Sequence, residues 1–181
     1  MIEDKLQLHL GCGNIRLPGF INIDCRYQHA VDKVDNIRYL RSYSNESIDF
    51  IYCAGVLEHF NRHEYIHVLE RWFELLKNGG KLRLSVPDFD AIIKRYQKTK
   101  DLNDLMGMLY GGQDYADNFH HYIWTFNTLK NDLIKVGFKT VYQYNPLETE
   151  YAHIHDGSQC FLPRMDKING DLVSLNVEAI K

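Results

Sequence analysis

In the run Leu6-Gln7-Leu8-His9-Leu10-Gly11-Cys12-Gly13-Asn14, alternating leucines give way to two glycines. The segment Gly19-Phe20-Ile21-Asn22-Ile23-Asp24 then ends on a carboxylate. Two glycines let a backbone turn sharply and approach a ligand with no Cβ in between. A carboxylate at the end of the next strand can accept hydrogen bonds from a ribose diol. Together they predict a nucleotide-type cofactor site at Leu10, Gly11, Cys12, Gly13, Asn14 and Asp24. A dinucleotide fingerprint would add a third glycine three residues after the second and an acid about 20 residues further on. Here that position is Arg16, and Asp24 follows Gly13 by only 11 residues. A crossover helix that seats a pyrophosphate needs a connection of about a dozen residues, so a ligand with a ribose and no phosphate fits better. S-adenosylmethionine is such a ligand, and an NAD(P)-linked oxidoreductase is the rival reading.

Other positions carry groups that move protons or hold ions. Glu58-His59 puts a carboxylate and an imidazole side by side, where each can shift the other's pKa. The pair His120-His121 precedes Tyr122-Ile123-Trp124-Thr125-Phe126, and a neutral imidazole is a suitable base for a hydroxyl acceptor. Each pair also has a plainer reading as cleft wall or loop packing. His153, His155 and Asp156 form an H-x-H-D segment. Alternate residues of an extended segment can share a face, but no third or fourth ligand is fixed, and no metal is expected there.

These groups need strands and helices to position them. Leu6, Leu8 and Leu10 alternate as one face of a strand, and further strands are expected at 20–25, near Ile37-Arg38-Tyr39-Leu40, at 48–53 and at 81–86. Asn61 with Glu64 resembles a capping box, and Tyr65, Leu69, Trp72, Phe73 and Leu76 recur at helical spacing until Gly79-Gly80. Residues 88–110 read as helix broken near Lys100-Asp101, and Gly111 to His121 as a polar, aromatic loop able to form a lip over a ring. A last helix is expected from Asn127 to Val136, closed by Gly137, with strands at 138–142 and 172–177 and an insertion or lid at 146–169 between them. Strands alternating with helices call for a mostly parallel sheet with ligands at the carboxyl ends of its strands.

With 45% hydrophobic and 25% charged residues, the 181-residue chain suits a single globular domain, 1–181. A net charge of −3 with scattered Lys and Arg gives no field for a polyanion, so nucleic acid is not the expected partner. Cys12, Cys25, Cys53 and Cys160 form no C-x-x-C pair and read as reduced thiols. Met1 to Lys5 has no signal-peptide core, and no apolar run reaches membrane-span length. A cytoplasmic protein is expected.

Taken in order, Leu10-Gly11-Cys12-Gly13-Asn14, Asp24, Ile48-Asp49-Phe50-Ile51-Tyr52, Val56-Leu57-Glu58-His59-Phe60, and Leu76 to Leu82 with Ser85-Val86-Pro87-Asp88 resemble the class I S-adenosylmethionine-dependent methyltransferases in their short single-domain form. The resemblance implies an α/β, Rossmann-like methyltransferase fold: a seven-stranded, mostly parallel sheet in the order 3-2-1-4-5-7-6, its last strand antiparallel, with helices on both faces. It implies that Asp35 or Asn36 bonds the adenine amino group, and that Cys53, Ala54 and Gly55 supply backbone contacts near the methionine portion. In a metal-dependent branch a glutamate stands three residues before the counterpart of Glu58. Here that position is Gly55, so no metal is expected. Similar proteins place a histidine nine residues before the counterpart of Leu129, which selects His120 as the candidate base, with Glu58, His59 and Asp88 as further candidates to bind the acceptor or orient that base.

The implied activity is methyl transfer to a small or medium acceptor, with the hydroxyl of a sugar, nucleotide sugar or glycan as first expectation. The rival from another class is a methyltransferase-like scaffold or regulatory subunit that holds the cofactor without turnover. Many relatives carry helices before the first strand. This chain enters that strand within about five residues, so an open cleft is expected, or one closed by 100–121, by 146–169 or by a second subunit of a homodimer.

Overall fold

The computed structural model describes residues 5–181. Nine strands and four α-helices follow in chain order: β1 (Gln7–Leu10), β2 (Ile21–Asp24), β3 (Lys33–Val34), β4 (Ile48–Ala54), α1 (Tyr65–Leu75), β5 (Leu76–Pro87), α2 (Phe89–Thr99), α3 (Met106–Tyr110), α4 (Phe126–Val136), β6 (Thr140–Gln143), β7 (Phe161–Leu162), β8 (Asp171–Leu172) and β9 (Ser174–Ile180). Seven form one sheet in the order β3-β2-β1-β4-β5-β9-β6, and β7 pairs with β8 in a separate ribbon. Counting sheet strands alone, this is 3-2-1-4-5-7-6. The first five are mutually parallel, and β9 runs antiparallel to both its neighbours, the Rossmann-like arrangement expected of a methyltransferase.

Strand alternation divides the sheet into two unlike faces. Leu8, Leu10, Ile23, Ile51, Cys53, Leu82, Leu84, Val177 and Ala179 all belong to the main core. Against them pack α1 through Val68, Leu69, Trp72 and Leu75 and α4 through Leu129 and Leu133. Trp72, fully buried, donates its indole N–H to the Ile37 carbonyl, 2.8 Å away. Thr125 caps α4 by accepting from the Thr128 N–H, and Gly137 ends it at a φ of 126°. A Cβ on Gly137 would lie 2.7 Å from the Phe73 ring.

The alternate residues, His9, Asn22, Tyr52, Arg83, Ser85, Asn176 and Glu178, are polar and buried. Such groups need partners, and all but the Asn176 Oδ1 have them. His9 bonds Asn22, Tyr52 donates to Asp156, and the Arg83 guanidinium donates to Glu178 and Glu150. The segment expected as a lid supplies several of these. Tyr151 and Ile154 pack on Phe20, Phe50 and Tyr52, while the 3-10 turn Gly157–Gln159 lies against β5 and β9. The helical cover expected on this face is therefore met by 3-10 turns and irregular chain.

Two local expectations are corrected. The third strand is Lys33–Val34, not residues 37–40. Ile37 and Leu40 are buried from a turn, with Leu40 at a positive φ of 44°. The first helix ends at Leu75 rather than at the glycines, because Leu76 is already extended and paired with Ile48. Gly79 and Gly80 lie inside β5. The break near Lys100 is present, with Lys100 in the left-handed region at φ 57° closing α2.

Candidate active site

A cleft opens at the carboxyl ends of β1, β2, β3 and β4, where an open parallel sheet binds its ligands. Gly11 and Gly13 line it from the turn after β1, Asp24, Cys25 and Arg26 from the end of β2, and Asn36, Ile37 and Arg38 from the chain after β3. Gly55, Val56, His59 and Phe60 enter from the end of β4, and Tyr115 and Asp117 reach in from the loop between α3 and α4.

Gly11, Gly13 and Gly55 all have positive φ, at 64°, 53° and 72°, a region that a side chain strains. A Cβ on Gly11 would lie 2.3 Å from Val56 Cγ2. One on Gly13 would meet no protein atom within 4 Å, so it would occupy only space open to a ligand. Asp24 is buried, and its two carboxylate oxygens accept from the Gly13 N–H at 2.9 Å and the Arg26 N–H at 3.0 Å. A carboxylate has about four lone-pair sites, so Asp24 ties the glycine turn to β2 and retains acceptors for a diol. The residues fit a ribose-bearing ligand held by backbone and one acid.

Of the other residues singled out in the sequence, Leu10, Cys12 and Cys53 are buried and shape the cleft from behind. The Cys12 N–H donates to the Ile23 carbonyl, and burial pushes the Cys12 thiol up to about 12. Asn14 is exposed and outside the cleft. Ala54 packs with Phe20 and Tyr52 on the polar face. Between the two adenine candidates, Asn36 lines the cleft. Asp35 turns to Lys33 at 3.3 Å and accepts from the Ser42 hydroxyl at 3.1 Å.

Glu58, His59 and His120 come together, their ligand-type atoms all within 4.8 Å of one another. His120 Nδ1 lies 2.9 Å from the Met108 carbonyl and His59 Nδ1 lies 3.1 Å from that of Phe119. A carbonyl only accepts, so both Nδ1 atoms carry the proton and both Nε2 atoms keep a free lone pair. Burial lowers the pKa of His120 and takes that of His59 down to about 4, with the neighbouring His120 charge adding to it. Burial also pushes Glu58 up to about 8, and its Oε2 has no partner. At neutral pH all three are uncharged, so the 3.9 Å between Glu58 Oε1 and His120 Nε2 is no ion pair. The group is arranged to take up a proton.

Asp88 lies at the end of β5. It is the N-cap of α2, accepting from the Asp90 and Ala91 N–H groups, and burial raises its pKa. His153 and His155 are exposed, and Asp156 is turned inward to Tyr52 and Ser158. Sequence reasoning missed Arg26, Arg38 and Asp117, whereas Val56 and Phe60 lie in a motif it used and Tyr115 in the loop it singled out as a lip. For Arg26 a signal existed, two residues beyond Asp24.

A glycine turn, an acid at the end of the second strand and a cleft across the strand ends define an α/β protein that binds an adenosyl-type cofactor. The sequence profile of the methyltransferase domain matches residues 18–143, and the chain belongs to that family. The match begins downstream of the glycine turn, whose geometry is thus separate support. In fold the chain is similar to an S-adenosylmethionine-dependent methyltransferase of Methanosarcina mazei, at 19% identity and TM-score 0.61 over 100% of this chain and 94% of that one. It is similar to one from Archaeoglobus fulgidus, at 16% identity and TM-score 0.58 over 99% and 87%. It is also similar to the Burkholderia thailandensis 1,6-didemethyltoxoflavin-N1-methyltransferase, whose structure holds 1,6-didemethyltoxoflavin and S-adenosylhomocysteine, at 15% identity and TM-score 0.61 over 97% and 70%. No curated protein matches the chain. The protein is a methyltransferase with S-adenosylmethionine as its cofactor, which sets the oxidoreductase reading aside. Among the described residues no helix is long and apolar enough to cross a membrane.

Proposed function

We propose that the protein methylates a hydroxyl of a small or medium acceptor, a sugar, nucleotide sugar or glycan, with His120 Nε2 as the base. The observation that carries this is the neutral His120, its tautomer set by the Met108 carbonyl and its ring packed edge-on to His59, which lines the cofactor cleft. When bound, S-adenosylmethionine supplies a methyl group already activated on a sulfonium sulfur. Asp24 takes the ribose hydroxyls, the backbone at Gly11, Gly13 and Gly55 lies against the methionine portion, and Asn36 meets the adenine amino group. His59 walls the cleft and holds the loop that carries His120.

An aliphatic hydroxyl must lose its proton as the new carbon–oxygen bond forms, and an uncharged imidazole beside it contributes about 10²–10⁴-fold. Burial keeps Glu58 protonated, so no carboxylate beside His120 holds the imidazole in its charged form. Tyr110 and Phe119, exposed on either side of the His120 loop, offer flat apolar faces on which a pyranose can stack.

The test is a screen of sugars and nucleotide sugars with labelled methyl donor, followed by His120→Ala on the best acceptor. A loss of about 10²-fold in kcat with cofactor affinity retained is the expected result. Full activity in His120→Ala would refute the base. Cofactor binding with no turnover on any acceptor would favour the scaffold reading instead.

A further inference from the structure

The loop between α3 and α4 has a role that the cofactor turn alone does not supply. It leaves α3 at Gly111, with φ 78°, where a Cβ would lie 2.5 Å from the Asn118 carbonyl oxygen. Its tip is closed by the Gln113 N–H donating to the Asn118 carbonyl at 2.9 Å and the Asn118 N–H donating to that of Tyr115 at 3.0 Å. Its base is fastened by the His120 N–H to the Tyr110 carbonyl at 3.1 Å and the His121 N–H to the Glu58 carbonyl at 2.8 Å. The loop is thereby held with Tyr115 and Asp117 at the cleft.

The Arg26 guanidinium lies 3.6 Å from the centre of the Tyr115 ring, joining the loop tip to the residues just after Asp24. Asp117 lies near enough to Cys25 for its charge to help raise that thiol, after burial and Asp24. Asp117 and His59 both line the cleft. Asp24 is bonded to two backbone N–H groups, Arg26 is laid on Tyr115, and Arg38 sits over Phe60 and 3.8 Å from Glu64. Among the described residues Asp117 has no ion pair and no side-chain hydrogen bond, so it is the uncommitted charge at the mouth of the cleft.

We propose that Asp117 is a cofactor-binding residue that favours the charged sulfonium of S-adenosylmethionine over the neutral thioether of its product, with Tyr115 as the uncharged cover beside it. The proposal rests on the cofactor reading of this cleft. The donor carries one positive charge more than S-adenosylhomocysteine, and Asp117 lines the same cleft as Asp24, Cys25 and His59, into which that charge would be brought. Losing the charge on transfer weakens the hold of the loop on the product and assists its release. Because Asp117 is exposed, water screens its field, and the discrimination expected of a single carboxylate is on the order of 10-fold.

Calorimetric titration of wild type, Asp117→Asn and Tyr115→Ala with each ligand tests this. Asp117→Asn is expected to weaken S-adenosylmethionine about 10-fold, to leave S-adenosylhomocysteine within about 2-fold, and to lose most of that difference near 0.5 M NaCl. Tyr115→Ala is expected to weaken both ligands alike. Equal weakening of both ligands in Asp117→Asn, or no change in either, overturns the proposal. A shifted ratio in Tyr115→Ala takes the discrimination from Asp117 and overturns it too. Wild type that binds neither ligand would instead defeat the cofactor reading beneath it.

Discussion

Replacing Glu58 by Gln is expected to stabilise the protein by an amount that grows with pH. In the unfolded chain this carboxyl titrates near its ordinary value of 4.5. Burial in the fold pushes it up to about 8. Between those values the folded chain holds a proton that the unfolded chain has shed, so wild-type stability falls as pH rises through that window and levels off above it. At about 1.4 kcal/mol per unit, the carboxyl costs under about 1 kcal/mol at pH 5, about 3 at pH 7 and close to 5 at pH 9. Gln removes the titration and keeps the size. Its amide replaces an oxygen, Oε2, that already lacks a partner, so an offset of about 1–3 kcal/mol in either direction can accompany the change. The slope is therefore the readout. Urea unfolding of both proteins at pH 5, 7 and 9 measures it, and near pH 7 the titrating part corresponds to roughly 6–12 °C in Tm for a chain of this size. A difference between the two proteins that stays constant from pH 5 to 9 would refute a protonated, buried Glu58, and with it the uncharged group around His120.

Three further outcomes follow from the site. Gly11→Ala forces a side chain to φ 64° and sets a Cβ 2.3 Å from Val56 Cγ2, so a loss of about 1–3 kcal/mol in stability is expected together with weaker cofactor binding; a wild-type Tm and affinity would contradict the close approach. With His120 as base and its pKa lowered by burial, kcat/KM should be flat above the ordinary histidine range near 6.5 and fall only on its acid side; a fall that begins above pH 7 would point to another group. Transfer should persist in the presence of a chelator; activity lost to EDTA and restored by a divalent cation would reassign Glu58, His59 and His120 as metal ligands.

The cofactor half of the site was legible because it is local in sequence. The turn, the strand and Asp24 lie within one short run, and glycine at a sharp turn before an acid has few other physical explanations. Sheet order followed from the family resemblance, and helix positions from the spacing of Leu69 and Trp72. The third strand was misplaced because Ile37 and Leu40 are buried without pairing, and burial is all that an apolar pattern reports. The early start of β5 was hidden by Gly79-Gly80, which look like a helix stop. The acceptor half depends on loops that meet only in the fold. Nothing in the residues around His120 reveals that the Met108 carbonyl sets its tautomer, or that Glu58 lies beneath it without a partner. The type and place of Asp88 suggest chemistry, and only the fold shows that it also caps α2. Tyr115 and Asp117 belong to the loop recognised as polar and aromatic, but their approach to Arg26 and Cys25 required the loop's own hydrogen bonds.

The measurement that bears most directly on the account is a titration of S-adenosylhomocysteine into the wild-type protein and into Asp24→Ala, with folding of the variant checked by circular dichroism. One ligand per chain is expected for wild type, and the variant should lose about 1.5–3 kcal/mol of binding through the missing charge-assisted bonds to the ribose. Equal affinity in the two proteins, or a wild type that binds NAD and not S-adenosylhomocysteine, would contradict it.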